Sequence, residues 1–164
     1  MNFSNMDKYK VLFVCLGNIC RSPSAKAVMT SVVEKYGAKK NFEIDSAGIL
    51  SVHAGEPADS RMQMHAGKRG YVLNDISRPV SSPDDFEYFD IIIGMDDQNI
   101  RDLKRLAPNK YLGKIRKMTD FMVKGQAEEV PDPYYGGEDG FEVVLDILED
   151  ACEGLYQHLM FGKI

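Results

Sequence analysis

Cys15 and Arg21, six residues apart, are the two side chains in this sequence best suited to act together on one anion. They bracket Leu16, Gly17, Asn18, Ile19 and Cys20, and Ser22-Pro23 follows at once. A loop of this size can curl so that the thiol at its start and the guanidinium at its end converge on a single oxyanion. The thiolate is the nucleophilic form, and a helix N-terminus beside an arginine favours it. Arg21 can grip two phosphoryl oxygens with its planar fork, which a lysine cannot do. Charge spreading over the equatorial oxygens during phosphoryl transfer would then meet donors already oriented. Asn18 tolerates the left-handed backbone that a tight anion loop needs. Ser22 reads as the N-cap of a following helix, as a donor to the Cys15 sulfur, or as both.

A thiolate that takes a phosphoryl group also needs a proton donor for the departing oxygen. The clearest candidate is Asp132, set in Val130-Pro131-Asp132-Pro133-Tyr134-Tyr135-Gly136-Gly137. Two prolines restrict the backbone on either side of that carboxylate. The same residues also read as a plain surface turn.

The elements that would position these groups alternate along the chain. Lys10 to Val14 predicts a buried strand, and Ser22 with Pro23 predicts a helix start. Ala25, Val28, Met29, Val32, Val33 and Tyr36 mark one helical face, which Gly37 closes. Phe42 to Asp45 reads as a strand, and Asp59 opens a helix that stops at Gly70. Ser82-Pro83 caps a short helical turn, Asp90 to Met95 is a strand, and Asp97 to Ala107 a helix with Ile100, Leu103 and Leu106 inward. Lys114 to Met118 is a further strand candidate, and the last helix runs from about Gly140 to Met160. Such alternation implies an α/β fold with a parallel sheet covered by helices on both faces. Ligands bind beyond the carboxyl ends of such strands, where the Cys15–Ser22 loop leaves the first one. Asp96, ending the third strand on that same side, is placed to orient Arg21. Residues 1–9 read as a lead-in and 10–164 as a single domain.

Twenty basic against twenty-five acidic residues give a net charge of −5, which argues against general electrostatic binding to nucleic acid or a membrane surface. No apolar run approaches the ~18 residues a membrane helix requires. Three cysteines, Cys15, Cys20 and Cys152, do not form a secreted disulfide framework, so a reducing, cytoplasmic setting is expected. The N-terminal residues lack the layout of a signal peptide. No cluster has metal-ligand spacing, and the chemistry calls for no cofactor.

In Cys15 through Ser22 and Asp132-Pro133-Tyr134-Tyr135 the chain resembles the low-molecular-weight protein tyrosine phosphatases, and the likeness runs over about Lys10 to Tyr156. Asp45-Ser46-Ala47-Gly48 and the segment Phe89-Asp90 through Met95-Asp96 carry the same likeness. The resemblance implies a four-stranded parallel sheet flanked by helices, in a metal-free monomer or weak dimer that hydrolyses phosphotyrosine and aryl phosphates. It implies Cys15 as nucleophile, Arg21 as the transition-state arginine and Asp132 as acid and then base. Ser22 matches the serine that helps the cysteine leave the phosphoenzyme. Asn18 matches a loop asparagine held by the residue matching Ser46. Backbone amides of Leu16, Gly17, Asn18, Ile19, Cys20 and Arg21 would complete the phosphate cradle, with Tyr134 and Tyr135 as aromatic walls. Cys20 matches a second loop cysteine that in relatives forms a reversible disulfide with the nucleophile. The partner implied is a phosphotyrosine-bearing protein, a tyrosine kinase among the candidates.

The chain departs from many relatives at three places. Ile49-Leu50-Ser51-Val52-His53 lacks their Trp or Tyr, Lys26 replaces a Glu, and Asp75 lies near where some carry a supporting histidine. Two alternatives share the fold. An arsenate reductase needs further cysteines to pass a disulfide outward, and none lies between Cys20 and Cys152. Phosphoarginine phosphatases resemble this loop but carry Thr where this chain has Ile19.

Overall fold

β1 (Tyr9–Cys15) is apolar at nearly every position because it runs through the middle of a sheet covered on both faces. The structure, a computed structural model, describes residues 8–133 and 137–162. β1 pairs in parallel with β2 (Phe42–Gly48) on one side and with β3 (Ile91–Gly94) on the other. β4 (Ile115–Lys117) adds to β3, giving the order β2-β1-β3-β4 in one four-stranded parallel sheet.

Successive β1 residues point to opposite faces. Val11, Phe13 and Cys15 join the core formed with α1 (Arg21–Lys35) and α5 (Glu138–Phe161). Leu12 and Val14 join Phe86 of α3 (Asp84–Tyr88) and Leu103 of α4 (Asp97–Leu106). In a third cluster, Met62 and Ala66 of α2 (Ser60–Lys68) pack with Cys20, Phe141 and Leu145. The chain leaves β1 toward β2 and later returns to β3 on the other flank. The topological switch point therefore lies at the carboxyl end of β1, where Cys15 is the last residue.

Several expected boundaries move. α1 begins at Arg21 with Cys20 at the N-cap and no side-chain cap, so Ser22 sits inside the first turn rather than capping it. Its hydroxyl is engaged instead by Cys15, Asn18 and Ala47. Asp59 does cap α2, accepting from the amides of Arg61 and Met62. Leu106, expected inward, is 40% exposed, because α4 ends there and Ala107 takes the covered position. Tyr36 lies just past α1 and is also exposed, its ring stacked on Tyr156 at 4.5 Å. No helix among the described residues is long and apolar enough to cross a membrane.

α5 crosses the short 3₁₀ turn Met118–Phe121 so closely that a Cβ on Gly154 would lie 1.7 Å from the Phe121 carbonyl oxygen. Nothing flexible stands there to yield, since the obstacle is backbone. Gly154→Ala should therefore cost about 2–3 kcal/mol, read as a lowered midpoint in urea unfolding. An unchanged midpoint would mean that helix and turn can part without loss.

Candidate active site

The Cys15–Arg21 loop has its carbonyls turned outward. The Cys15 and Leu16 carbonyls accept from the amides of Ile49 and Leu50, at 3.0 and 2.9 Å. The Ser77 hydroxyl donates to the Gly17 carbonyl at 3.0 Å, and the Asp59 amide donates to that of Ile19 at 2.8 Å. The Cys20 carbonyl accepts from Ser24. In a trans peptide the N–H points opposite to the preceding C=O. The amides of Leu16, Gly17, Asn18, Cys20 and Arg21 are thereby aimed at the other side, into the loop. That is the arrangement by which backbone groups hold an anion at a helix N-terminus.

Asn18 makes the turn possible. Among the described residues it is the non-glycine residue with positive φ, 57°, and it is buried. Its Nδ2 donates to the hydroxyls of Ser22 (2.8 Å) and Ser46 (2.9 Å), while its Oδ1 accepts from the Arg78 amide at 3.0 Å. Gly48 lets β2 approach, since a Cβ there would meet Asn18 Cβ and the Gly17 carbonyl carbon at 3.1 Å. Ser46 in turn donates to Asp75 Oδ2 at 3.2 Å, and Lys26 Nζ donates to Asp75 Oδ1 at 2.9 Å. The two departures at positions 26 and 75 thus form one ion pair behind the loop.

Cys15 is 3% exposed, and its Sγ lies 3.1 Å from Ser22 Oγ and 3.4 Å from the Ser22 amide. Ser22 has one proton to give, to the sulfur or to the Ala47 carbonyl at 3.3 Å. Arg21 is 2% exposed. Its Nη1 donates to Asp96 Oδ2 at 2.6 Å and to the Val130 carbonyl at 3.0 Å. Its Nη2 lies 3.6 Å from Asp132 Oδ2, an ion-pair distance longer than a hydrogen bond. Burial works against the Arg21 charge, but Cys15, Asp96 and Asp132 outweigh it and hold the guanidinium more firmly charged than usual. Cys20 is also buried, yet there burial pushes the thiol up, with Asp59 and Cys15 adding to the effect. The loop therefore holds a neutral thiol at Cys20 beside a Cys15 sulfur that faces the hydroxyl and amide of Ser22.

These groups open into a cleft of about 230 Å³ lined by Cys15, Leu16, Gly17, Ile19, Arg21 and Asp132, among others. Leu50, Val52 and His53 form its outer wall. Glu56 holds the Nδ1 of His53 at 2.6 Å, and the His53 ring edge covers Gly17. Arg78 was missed altogether, because its contribution to the loop is a backbone amide, which any residue carries. Tyr134 and Tyr135 lie outside the described residues. Cys152 is fully buried in α5, its Sγ 3.9 Å from the Ala25 carbonyl. Among the described residues no group of three or more His, Cys, Asp or Glu could hold a metal ion.

The chain matches the family described as low molecular weight phosphotyrosine protein phosphatase over residues 10–162. It is 42% identical to a low molecular weight protein-tyrosine-phosphatase of Streptomyces coelicolor, covering 90% of this chain and 91% of that one. A low molecular weight phosphotyrosine protein phosphatase of Gallus gallus is 40% identical, with 90% and 93% covered. A crystal structure of a protein tyrosine phosphatase from Entamoeba histolytica superposes with a TM-score of 0.91 and 52% identity, over 94% of this chain and 99% of that one.

Asn18 offers a direct test of the cradle. Asn18→Ala keeps the positive φ without the three hydrogen bonds, and should lower stability by about 3 kcal/mol and weaken inorganic phosphate binding in calorimetry. Asn18→Gly relieves only the backbone, so it should recover part of the stability and little of the affinity. Full affinity in both would show that the loop holds its shape without the side chain.

Proposed function

The chain belongs to the low molecular weight phosphotyrosine protein phosphatase family, and on that premise we propose that it hydrolyses phosphotyrosine through a phosphoenzyme on Cys15. The enzyme is a cysteine-dependent hydrolase of phosphoproteins; the residue roles are our assignment. Cys15 Sγ attacks phosphorus as the bond to the aryl oxygen breaks. Asp132, protonated, delivers its proton to that oxygen. Arg21 and the inward amides hold the three equatorial oxygens, whose charge they meet without rearrangement. Asp96 fixes one nitrogen of the fork, leaving the other edge of Arg21 to the phosphoryl group. Water then attacks phosphorus and gives its proton to the Asp132 carboxylate. The P–S bond breaks, inorganic phosphate leaves, and the Ser22 hydroxyl steadies the returning thiolate.

The observation that carries this reading is the meeting of Cys15, Arg21 and Asp132 in one cleft, with Ser22 Oγ 3.1 Å from the sulfur. Ile19, Leu50 and Val52 give that cleft an apolar wall suited to an aryl ring. Tyr134 and Tyr135 extend the wall in our assignment. A disulfide relay of the arsenate reductase kind finds no support in Cys152, which is wholly enclosed. We assign residues 10–164 to one catalytic unit, acting as a monomer or weak dimer in a reducing cytoplasm. A phosphorylated tyrosine kinase is the substrate we favour among phosphoproteins.

Phosphate release from a phosphotyrosine peptide, under reducing conditions, tests the assignment. Cys15→Ser should abolish turnover, and Asp132→Ala should slow it by about 10²–10⁴-fold while removing the acid's limb of the pH profile. An Asp132→Ala variant as fast as wild type would require another proton donor.

A further inference from the structure

α2 touches both halves of the site without entering it. At its N-cap, the Asp59 amide binds the Ile19 carbonyl of the loop, and Met62 and Ala66 pack with Cys20 beneath. Farther along, α2 is fastened to the first turns of α5. His65 Nδ1 lies 2.5 Å from Glu142 Oε2, and its ring stacks on Phe141 with centroids 5.1 Å apart and planes within 10°. The Arg61 guanidinium lies over the same Phe141 ring, 5.1 Å from its centroid. Arg69 donates to Glu142 Oε1 at 2.7 Å and to Glu149 Oε1 at 2.8 Å, and Tyr71 donates to Glu149 Oε2. Arg69 first, and His65 after it, hold the Glu142 carboxyl below the usual carboxylate range.

The first turn of α5 is also where the proton-donor segment comes to rest. A Cβ on Gly140 would lie 3.6 Å from Cα of Pro133, the residue that follows Asp132. Phe141 and Glu142, the next two residues, are the ones α2 grips. His65 is only 7% exposed, so its ring nitrogen satisfies itself on Glu142 only while that turn is seated. Loop, α2, first turn of α5, Pro133 and Asp132 form one mechanical series.

Resting on the phosphatase reading above, we propose that the His65–Glu142 pair is a positioning device for the proton donor. It seats the first turn of α5 against α2 and, through Pro133, sets the reach of the Asp132 carboxyl to the leaving oxygen. The loop is held to the same helix through Asp59, so acid and nucleophile share one reference. Neither residue touches the substrate. A shift of about 1 Å at a reacting group can cost two orders of magnitude, so a loosened turn should appear in the rate.

The signature is a dependence on leaving group. p-Nitrophenolate departs from phosphorus without needing a proton, whereas a benzyl alkoxide has to receive one from Asp132. kcat/KM reports the steps up to transfer of the phosphoryl group to sulfur, and so isolates that proton. His65→Ala should lower kcat/KM on benzyl phosphate about tenfold more than on p-nitrophenyl phosphate. His65→Asn, whose Nδ2 can replace the Nδ1 donor, should recover most of the difference. Glu142 is partly exposed, and Glu142→Ala should reproduce the effect even where His65→Ala does not fold. In an Asp132→Ala background the substitutions should add no further discrimination between the two esters. Equal losses on both esters, or no change in their ratio, would overturn the inference. Wild-type protein inert on both would instead remove the phosphatase reading, and this inference with it.

Discussion

A concave row of amides can exist only if the opposite edges of the same peptides find partners elsewhere. In this loop the carbonyls of Cys15, Leu16, Gly17, Ile19 and Cys20 take donors from the segment after β2, from Ser77, from the N-cap of α2 and from the first turn of α1. Each unpartnered buried carbonyl would cost about 1–3 kcal/mol, so the loop's shape depends on all four segments being in place. The parallel sheet brings β1 and β2 to the same end, and α2 closes the remaining side. Much of what surrounds the cleft can be understood as supply to the outside of a loop whose inside is left to N–H groups.

That requirement explains how a chain with net charge −5 can point donors at one spot without a surplus of cations. The buried cation there, Arg21, is shared between Asp96 at Nη1 and Asp132 near Nη2. Much of the attraction for a phosphoryl dianion then comes from oriented peptides, which carry no net charge and need no counterion. Under the proposed reading, an arriving dianion takes the Nη2 edge from Asp132 while Asp96 keeps its hold on Nη1. The guanidinium is thus held in one plane before and after binding, a form of preorganisation that a mobile lysine would lack.

The strand, loop and helix around Cys15 were legible because a buried apolar run, a thiol, an arginine and a Ser-Pro pair each signal locally. α4 and α5 were legible for the same reason, through their apolar periodicity. Of the two roles read for Ser22, the cap is absent and the contact with the Cys15 sulfur is present, because the capping preference of serine is local whereas its three partners lie on β1, the loop and β2. Leu106 was misread because periodicity says which face a residue is on, not where the covering layer ends. The grip of α2 on α5 was invisible for a different reason. His65 and Glu142 are 77 positions apart, and no spacing rule joins them. The Lys26 and Asp75 departures looked separate in sequence and became a single interaction only in space.

That last pair belongs to a longer chain of charges. Lys26 also approaches Asp45 Oδ1 at 3.7 Å, Arg78 binds Asp45 Oδ2 at 3.0 Å, and Arg78 reaches on to Asp85. In order of contact, Asp75, Lys26, Asp45, Arg78 and Asp85 alternate in sign, and each member is paired with its neighbours. A change of charge at one link strands the next. Positions 26 and 75 are therefore constrained as a couple, and through Asp45 the constraint passes on to Arg78. The loop thus rests on a run of charges whose members can be replaced only in concert.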